Sequence, residues 1–331
     1  MMQNRPMASL SFDLDNLWSY LRTHGDPGWE AYPSYLDVVL PRMLSVVRKV
    51  GLHMTVFVVG KDAETEQHRS LLQRIPKEGH EVGNHSLHHL QWLHKLPHAE
   101  LRREIVESDR LIHEATGCKP RGFRGPGFAC SESLLRILAE NGYDYDGSTF
   151  PTFLGPIARA YYFFSSRRFS AKEADERKDL FGGVSDGLRP LSLYCWALDS
   201  QHHGNPTTDL VEIPVTTMPL LRAPFHMSYL LFLAQKSPFL MRRYVELALS
   251  LCVRLRIEPS FLLHPLDVVS EAECPELRFF PAMSLPSHKK EDLVVEVLSM
   301  LAERFCVVTM GEHAKTARER GLPRRRPDFG T

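Results

Sequence analysis

The sequence predicts an α/β fold built on a largely parallel sheet, either open or closed into a barrel. Strand-like and helix-like segments alternate from about residue 8 to residue 310, and such alternation is typical of parallel sheets. The chain of 331 residues is 43% hydrophobic and 24% charged, as expected for a globular protein that buries a sizeable core. The apolar strand-like runs cover residues 9–15, 54–60, 210–216, 260–267 and 306–310.

Helical periodicity is clearest at two places. An apolar stripe predicts a helix from about Pro97 to Thr116, which Gly117 would end. Ser131 is placed to cap a second helix that stops at Gly142.

These elements predict one catalytic domain over residues 1–312, with an insertion at about 149–209. The insertion interrupts the alternation and is rich in aromatic and charged residues. Residues 313–331 are expected to form a frayed basic tail.

Charge and cysteine usage narrow the function classes. Lys+Arg and Asp+Glu both number 40, so the chain lacks the basic excess of a nucleic-acid-binding protein. The six cysteines are scattered without a CxxC pair, which favours neither a zinc ribbon nor a disulfide framework and fits a reducing compartment. No signal peptide is visible, so we expect a cytoplasmic protein, with peripheral contact to the inner membrane face left open.

Two carboxylates end the first strand. Asp13 and Asp15 are separated by one residue, so on a strand both would point to the same face. Burying two acids is costly unless a metal or a cation pairs with them. The alternative is an Asx-type turn that closes the strand.

Two histidines follow the strand-like piece near residue 81. His85 and His89 are spaced i, i+4, so on one helical turn both imidazoles would face one metal ion. The alternative is a solvated pair, or one satisfied within the core.

The remaining two segments each carry a single candidate. Arg124 lies in a Gly/Pro-rich loop and could clamp a carboxylate bidentately, unless it is a solvated turn residue. His264 ends an apolar strand before Pro265 and suits a general acid, unless it is a core or capping histidine. Together the four segments fit one mechanism, because a metal held by two His and one Asp keeps positions open for water and a carbonyl.

The order SFDLDN, HSLHH, RGPG and LLHPLD resembles the motif series of the polysaccharide-deacetylase family, also called NodB-like or carbohydrate esterase family 4. The first motif is similar to the family branch with Asp-x-Asp. The resemblance covers roughly residues 8–310 and implies a deformed (β/α) barrel with about seven parallel strands, the NodB-homology fold.

The resemblance also implies residue roles. One divalent metal ion, zinc or another first-row ion, would be the cofactor. The implied roles are metal binding by Asp15, His85 and His89, base catalysis by Asp13, orientation of Asp13 by Arg124, and protonation of the leaving amine by His264. The candidate substrate-binding residues are Pro126, Gly127, Phe128, Trp196, Asp199 and Arg222. Among these, Trp196 and Asp199 match the family's fourth motif only loosely, so a core Trp and a surface Asp are equally compatible readings.

The implied activity is hydrolysis of an N-acyl group, acetyl or formyl, from an amino sugar. A saccharide, free or linked to polyprenyl phosphate at the cytoplasmic membrane face, would be the substrate. The alternatives are a hydrolase of a non-sugar C–N bond such as a cyclic ureide, a catalytically inactive carbohydrate-binding member, and a structural interaction protein.

An apolar run, residues 222–233, is expected to form a membrane lip beside the site. Tyr161–Phe164 with Arg167 and Arg168 would add a headgroup contact. The alternative places both segments in the core or in a dimer interface, so the oligomeric state stays open.

Overall fold

The structure is a computed structural model that describes residues 5–156, 178, 184–198 and 210–329. Ten strands of this part of the chain form one sheet, in the order β10-β6-β7-β5-β4-β3-β2-β1-β8, with β9 also paired to β1. The strands are β1 (Met7–Asp13), β2 (Thr55–Val58), β3 (Glu81–Asn84), β4 (Gly122–Phe123), β5 (Tyr145–Asp146), β6 (Tyr194–Trp196), β7 (Leu210–Glu212), β8 (Ser260–Leu263), β9 (Cys306–Val308) and β10 (Arg324–Arg325).

Seven of these strands curl into a nearly closed ring. The strands from β7 through β5, β4, β3, β2 and β1 to β8 are paired in parallel. The Thr216 backbone N–H, just after β7, donates to the Ser260 carbonyl at the start of β8 over 3.1 Å. The predicted deformed (β/α) barrel with about seven parallel strands is therefore confirmed.

Helices cover the outside of the ring. The helices are α1 (Leu17–His24), α2 (Leu36–Lys49), α3 (Gly60–Glu64), α4 (Glu66–Leu72), α5 (Arg74–Lys77), α6 (His98–Thr116), α7 (Glu132–Glu140), α8 (Met227–Lys236), α9 (Pro238–Leu255), α10 (Ser287–Arg304) and α11 (Met310–Glu319). Both helix predictions are confirmed. Gly117 ends α6 with a φ of 77°, and the Ser131 side chain accepts the Leu134 N–H at the start of α7.

The prediction of a frayed tail at 313–331 is wrong for most of that segment. Residues up to Glu319 continue α11, in which His313, Ala314 and Ala317 are buried. Arg324–Arg325 then pair with β6. The apolar side chains of α11 and the pairing with an edge strand hold a segment that its basic composition alone suggested would be solvated.

The prediction of an exposed membrane lip at 222–233 is also wrong, because the main apolar residues of this run are buried. Phe225, Leu230 and Leu231 are at most 1% exposed and belong to the main core. They are buried because α8 lies across β8 and turns this face inward. The companion segment Tyr161–Phe164 with Arg167 and Arg168 lies outside the described residues. In the part of the chain that is described, no helix combines the length and the apolarity needed to cross a membrane.

Strand register gathers the candidate residues at one edge of the barrel. Phe12 is paired with Leu263, so the next residues, Asp13 and His264, are neighbours at the carboxyl ends of β1 and β8. His264 keeps an extended backbone, with φ −133° and ψ 163°. The carboxyl ends of parallel strands are where α/β enzymes place their active sites.

Candidate active site

A buried ion pair joins the first strand to the loop after β4. The Arg124 Nη1 donates to the Asp13 Oδ1 over 2.8 Å, and the two side chains are 0% and 5% exposed. A buried carboxylate is tolerated in this position because a fixed cation is beside it.

The arginine does not form the bidentate clamp that the sequence suggested. Its Nη1 also donates to Ser11 Oγ over 2.8 Å, and its Nε donates to the Gly147 carbonyl over 2.9 Å. The guanidinium lies over the Phe57 ring at 4.6 Å from the centroid. Arg124 therefore joins three segments around Asp13, because its donors are shared among separate acceptors.

Three buried side chains converge beside this ion pair. Oδ1 of Asp15 lies 3.2 Å from Nε2 of His85 and 3.0 Å from Nε2 of His89. One ligand atom from each residue lies within 4.8 Å of the others. Among the described residues, this is the only cluster of three or more His, Cys, Asp or Glu side chains that could hold a metal ion.

The donor set fits a cation better than a hydrogen bond. The His85 Nδ1 lies 2.7 Å from the Arg124 carbonyl, which can only accept, so Nδ1 carries the proton. In the neutral ring, Nε2 then presents a lone pair to a carboxylate. Asp15 Oδ1 is buried and has no hydrogen-bond partner of acceptable geometry in the described structure. A metal ion between His85 Nε2 and Asp15 Oδ1 would accept both lone pairs and remove the repulsion between them.

The electrostatics of the cluster point the same way. Burial by itself would raise the pKa of Asp15, but His89 and His85 hold it well below its ordinary value. Burial would lower the pKa of His85, but Asp13 and Asp15 raise it above its ordinary value. The site therefore favours a carboxylate accompanied by positive charge.

The two histidines do not lie on a helical turn, which corrects the expected geometry. They follow β3 in a loop where Ser86 and His89 have φ values of 63° and 51°. The backbone amides of this loop donate to side chains instead of to helical carbonyls. Glu104 accepts the N–H groups of Leu87 and His88 over 3.1 and 3.0 Å. A carboxylate from α6 thus holds the loop in a shape that still brings the imidazoles together.

Two polar residues, Ser228 and Asp267, contact His264, and neither was assigned a role from the sequence. The Ser228 hydroxyl donates to Asp267 Oδ1 over 2.7 Å and lies 3.3 Å from the His264 Nδ1. The His264 backbone N–H donates to Asp267 Oδ2 over 2.7 Å. The imidazole therefore has a hydroxyl and a buried carboxylate behind Nδ1. The only sequence signal was the short spacing in HPLD.

A row of rings connects this histidine to the loop after β4. The ring centroids are 4.7 Å apart for Phe128 and Phe150, 5.9 Å for Phe150 and His226, and 5.7 Å for His226 and His264. Burial, together with His264, lowers the pKa of His226 to about 3. The row forms a neutral, mostly apolar wall, and it places the predicted residue Phe128 on the same rim as His264.

The other predicted substrate-binding residues have mixed positions. Pro126 is buried and Gly127, with a φ of 59°, packs near Gln91 in the loop beside Arg124. Trp196 is buried, and its indole N–H donates to Glu212 over 2.8 Å. Arg222 is partly buried and donates to the Arg189 carbonyl over 2.9 Å. Asp199 lies outside the described residues.

Sequence reasoning also missed a buried acid behind the metal-ligand candidates. Asp62 accepts hydrogen bonds from Asn16 Nδ2 and Trp18 Nε1 over 2.7 and 2.9 Å. Burial raises its pKa to about 6, although these two donors and the nearby histidines His68 and His89 oppose the rise. Asp62 thereby fixes the side chain of Asn16, the residue that follows Asp15.

A family model described as polysaccharide deacetylase matches residues 26–145. The match includes both histidines of the cluster and Arg124.

Curated relatives align with a similar part of the chain. A peptidoglycan-N-acetylglucosamine deacetylase of Bacillus cereus is 27% identical over 103 residues, which are 31% of this chain and 36% of the relative. A chitooligosaccharide deacetylase of Sinorhizobium fredii is 30% identical over 131 residues, which are 37% of this chain and 60% of the relative. The chain thus spans less than two thirds of the length of either relative.

A solved structure shares the whole fold. It belongs to a Mycobacterium smegmatis protein that is itself only provisionally described as a polysaccharide deacetylase. It has a TM-score of 0.60 at 17% identity and covers 100% of this chain and 97% of its own.

Proposed function

We propose that this chain is a metal-dependent hydrolase of an N-acyl amino sugar, because residues 26–145 match the polysaccharide-deacetylase family model and curated deacetylases align with a similar part of the chain. The observation that carries the proposal is the convergence of Asp15, His85 and His89 next to the buried Asp13–Arg124 ion pair. A three-residue metal site beside a charged carboxylate is the arrangement that metal-assisted hydrolysis requires.

The metal ion would be held by Asp15, His85 and His89. Two imidazoles and one carboxylate suit zinc, and also suit other first-row divalent ions. When bound, the ion supplies Lewis-acid activation of a water and of the substrate carbonyl. His85 is already oriented for this role, because its other ring nitrogen donates to the Arg124 carbonyl.

Asp13 would act as the general base. It takes a proton from the water as the water oxygen attacks the carbonyl carbon of the N-acyl group. Arg124 fixes the position of this carboxylate through the hydrogen bond from its Nη1. The backbone N–H of Gly127, after Pro126, would donate to the developing oxyanion, an interaction worth roughly 3 kcal/mol.

His264 would complete the reaction as general acid. It gives a proton to the sugar nitrogen while the C–N bond breaks, which leaves a free amine and a carboxylate such as acetate or formate. Ser228 and Asp267 lie behind Nδ1, so the opposite ring nitrogen is free to face the cleft. Register places this histidine beside Asp13, as a base and an acid on one substrate would require.

Acetyl and formyl groups both fit the proposal, because the wall formed by Phe128, Phe150 and His226 is apolar and uncharged. For the substrate itself, we propose a saccharide that is linked to polyprenyl phosphate. A cytoplasmic enzyme that works at the inner membrane face would meet that substrate.

Turnover of defined substrates tests the proposal. The zinc-loaded protein should release acetate or formate, and an equal amount of free amine, from N-acyl amino sugars. Chelation should abolish the release, and added zinc should restore it. A metal-loaded protein that binds such sugars without releasing acid or amine would instead be an inactive carbohydrate-binding member of the family.

A further inference from the structure

Exposed apolar side chains are concentrated in one part of the described structure. Eight of the thirteen large hydrophobic residues with exposed side chains lie between residues 220 and 255. Leu220 and Leu221 are 73% and 69% exposed, and Leu240 and Leu247 are 61% and 51% exposed. Scattered exposed leucines are ordinary, but a concentration of this kind indicates an interaction surface.

The same segment is strongly basic. Between Glu212 and Glu258 the chain has six arginine or lysine residues and one acid, Glu246. The segment therefore has a net charge of +5, although the formal net charge of the whole chain is zero. Arg243 pairs with Glu246, and Arg242 pairs with Glu296 of α10. Exposed Lys236 has no acidic partner within the part of the chain that is described.

Contacts join the apolar residues into one face of the α8–α9 hairpin. On α8, Phe232 contacts Tyr229, whose ring lies 6.0 Å from that of Tyr244 on α9. Leu240 and Leu247 flank Tyr244 at i−4 and i+3, so all three lie along one side of α9. The outer sides of the two helices are therefore continuous.

The loop before α8 extends this face toward the active site. The Tyr244 hydroxyl donates to the Pro224 carbonyl over 2.8 Å, which ties α9 to the turn that carries Leu220 and Leu221. Ser228, at the start of α8, contacts His264, and Phe232 follows one helical turn later. The face thus begins beside the proposed general acid.

We propose that this hairpin surface, formed by Leu220, Leu221, Phe232, Lys236, Leu240, Arg243 and Leu247, binds the interface of an anionic lipid bilayer. Exposed leucine and phenylalanine side chains enter the headgroup boundary, and lysine and arginine around them are attracted to anionic headgroups. A second copy of the chain is a poorer occupant. A two-fold dimer brings the same patch of both subunits together, so Lys236 and the arginines of one copy would face those of the other. The acids beside them, Glu246 and Glu296, already pair with Arg243 and Arg242 of their own chain.

The proposed reaction is not needed for this binding. Membrane binding by this surface would bring His264 close to a lipid-linked saccharide at the bilayer interface. Only this consequence for the substrate rests on the proposed function.

Sedimentation with vesicles tests the surface. The wild-type protein should bind vesicles that contain phosphatidylglycerol, bind pure phosphatidylcholine vesicles more weakly, and lose binding as salt is added. The double variant Leu240→Ser/Leu247→Ser should bind these vesicles with an affinity lower by about 10-fold or more. The matched control is Val38→Ser/Val106→Ser, which replaces valines of 40% and 39% exposure on α2 and α6 and should bind as the wild type does.

Three results would overturn the proposal. These are a wild-type protein that ignores anionic vesicles, a leucine variant that binds them normally, and a wild-type dimer that the leucine variant converts to monomer in sedimentation velocity. The third result would assign the surface to a second copy of the chain. Failure of the deacylase assignment is distinguishable, because Asp13→Asn should bind vesicles normally and the leucine variant should hydrolyse a soluble N-acyl sugar normally.

Discussion

His85 donates its Nδ1 proton to the backbone carbonyl of Arg124 over 2.7 Å, while the side chain of the same arginine holds Asp13. One residue therefore positions a metal-ligand candidate through its backbone and the base candidate through its guanidinium. The relative placement of metal and base is fixed by a single short loop after β4.

Asp13→Asn should keep the metal and lose most turnover. The amide oxygen can still accept from Arg124, but it cannot take a proton from water, so kcat should fall by about 10²–10⁴-fold. Steady-state kinetics with metal analysis measures both effects. Ser11→Ala is the control, because it removes another partner of Arg124 on the same strand and should cost far less activity. Near-normal turnover of Asp13→Asn would reject the base assignment.

Arg124→Lys should damage both stability and activity. A lysine has one nitrogen and cannot reach Asp13, Ser11 and the Gly147 carbonyl together. Each buried group left without a partner costs about 1–3 kcal/mol. Urea unfolding and kinetics report the two losses. Exposed Arg121, just before β4, donates to the Gly142 carbonyl, and Arg121→Lys should be nearly neutral. Equal behaviour of the two variants would show that Arg124 is only a turn residue.

Ser228→Ala should separate orientation of His264 from its chemistry. The variant loses the hydroxyl between Nδ1 and Asp267 but keeps the backbone bond from His264 to that carboxylate. We expect a fall in kcat of about 10-fold, against about 10²–10⁴-fold for His264→Ala. An unchanged kcat in Ser228→Ala would mean that the serine only packs.

His80 should make the fold sensitive to mild acid. Burial, with a smaller effect of His53, lowers the pKa of His80 to about 4, and its Nδ1 accepts the Met54 N–H over 3.2 Å. Below pH 6.5 the unfolded chain binds a proton that the folded chain refuses, so stability falls as the pH drops toward 4.

The variant His80→Asn tests this dependence, because the amide oxygen can replace Nδ1 as the acceptor. Its loss of unfolding free energy between pH 7 and pH 4 should be smaller than that of the wild type, by roughly 2 kcal/mol after allowance for solvent screening. Urea unfolding at several pH values measures the difference. Parallel pH dependence in the two proteins would contradict the assignment to His80.

The sequence predicted the barrel and the residues at its strand ends because these depend on local patterns. Apolar runs ending in Asp13 or His264 indicate both a strand and the edge at which its side chains emerge. The backbone around His85 and His89 could not be predicted in the same way, because Glu104 on a different element holds it. Ser228 was missed for the same reason, since it meets Asp267 only in the folded chain.

The hydrophobic runs of the sequence also did not show which of their residues would be buried and which would be exposed. The run at 225–233 was expected to be exposed, but Leu230 and Leu231 belong to the core. The exposed leucines lie before and after it, at Leu220, Leu221 and Leu240. Periodicity identifies an apolar face, whereas only the packing of α8 on β8 determines which face meets water.

Metal content tests the central claim most directly. Purified protein analysed by plasma mass spectrometry should contain about one divalent ion per chain, and His85→Ala, His89→Ala and the double variant should contain almost none. His88→Ala is the matched control, since His88 lies in the same loop but pairs with Glu104, and it should keep the ion. Full metal occupancy in the double variant would contradict the account, because the ion would then be bound elsewhere.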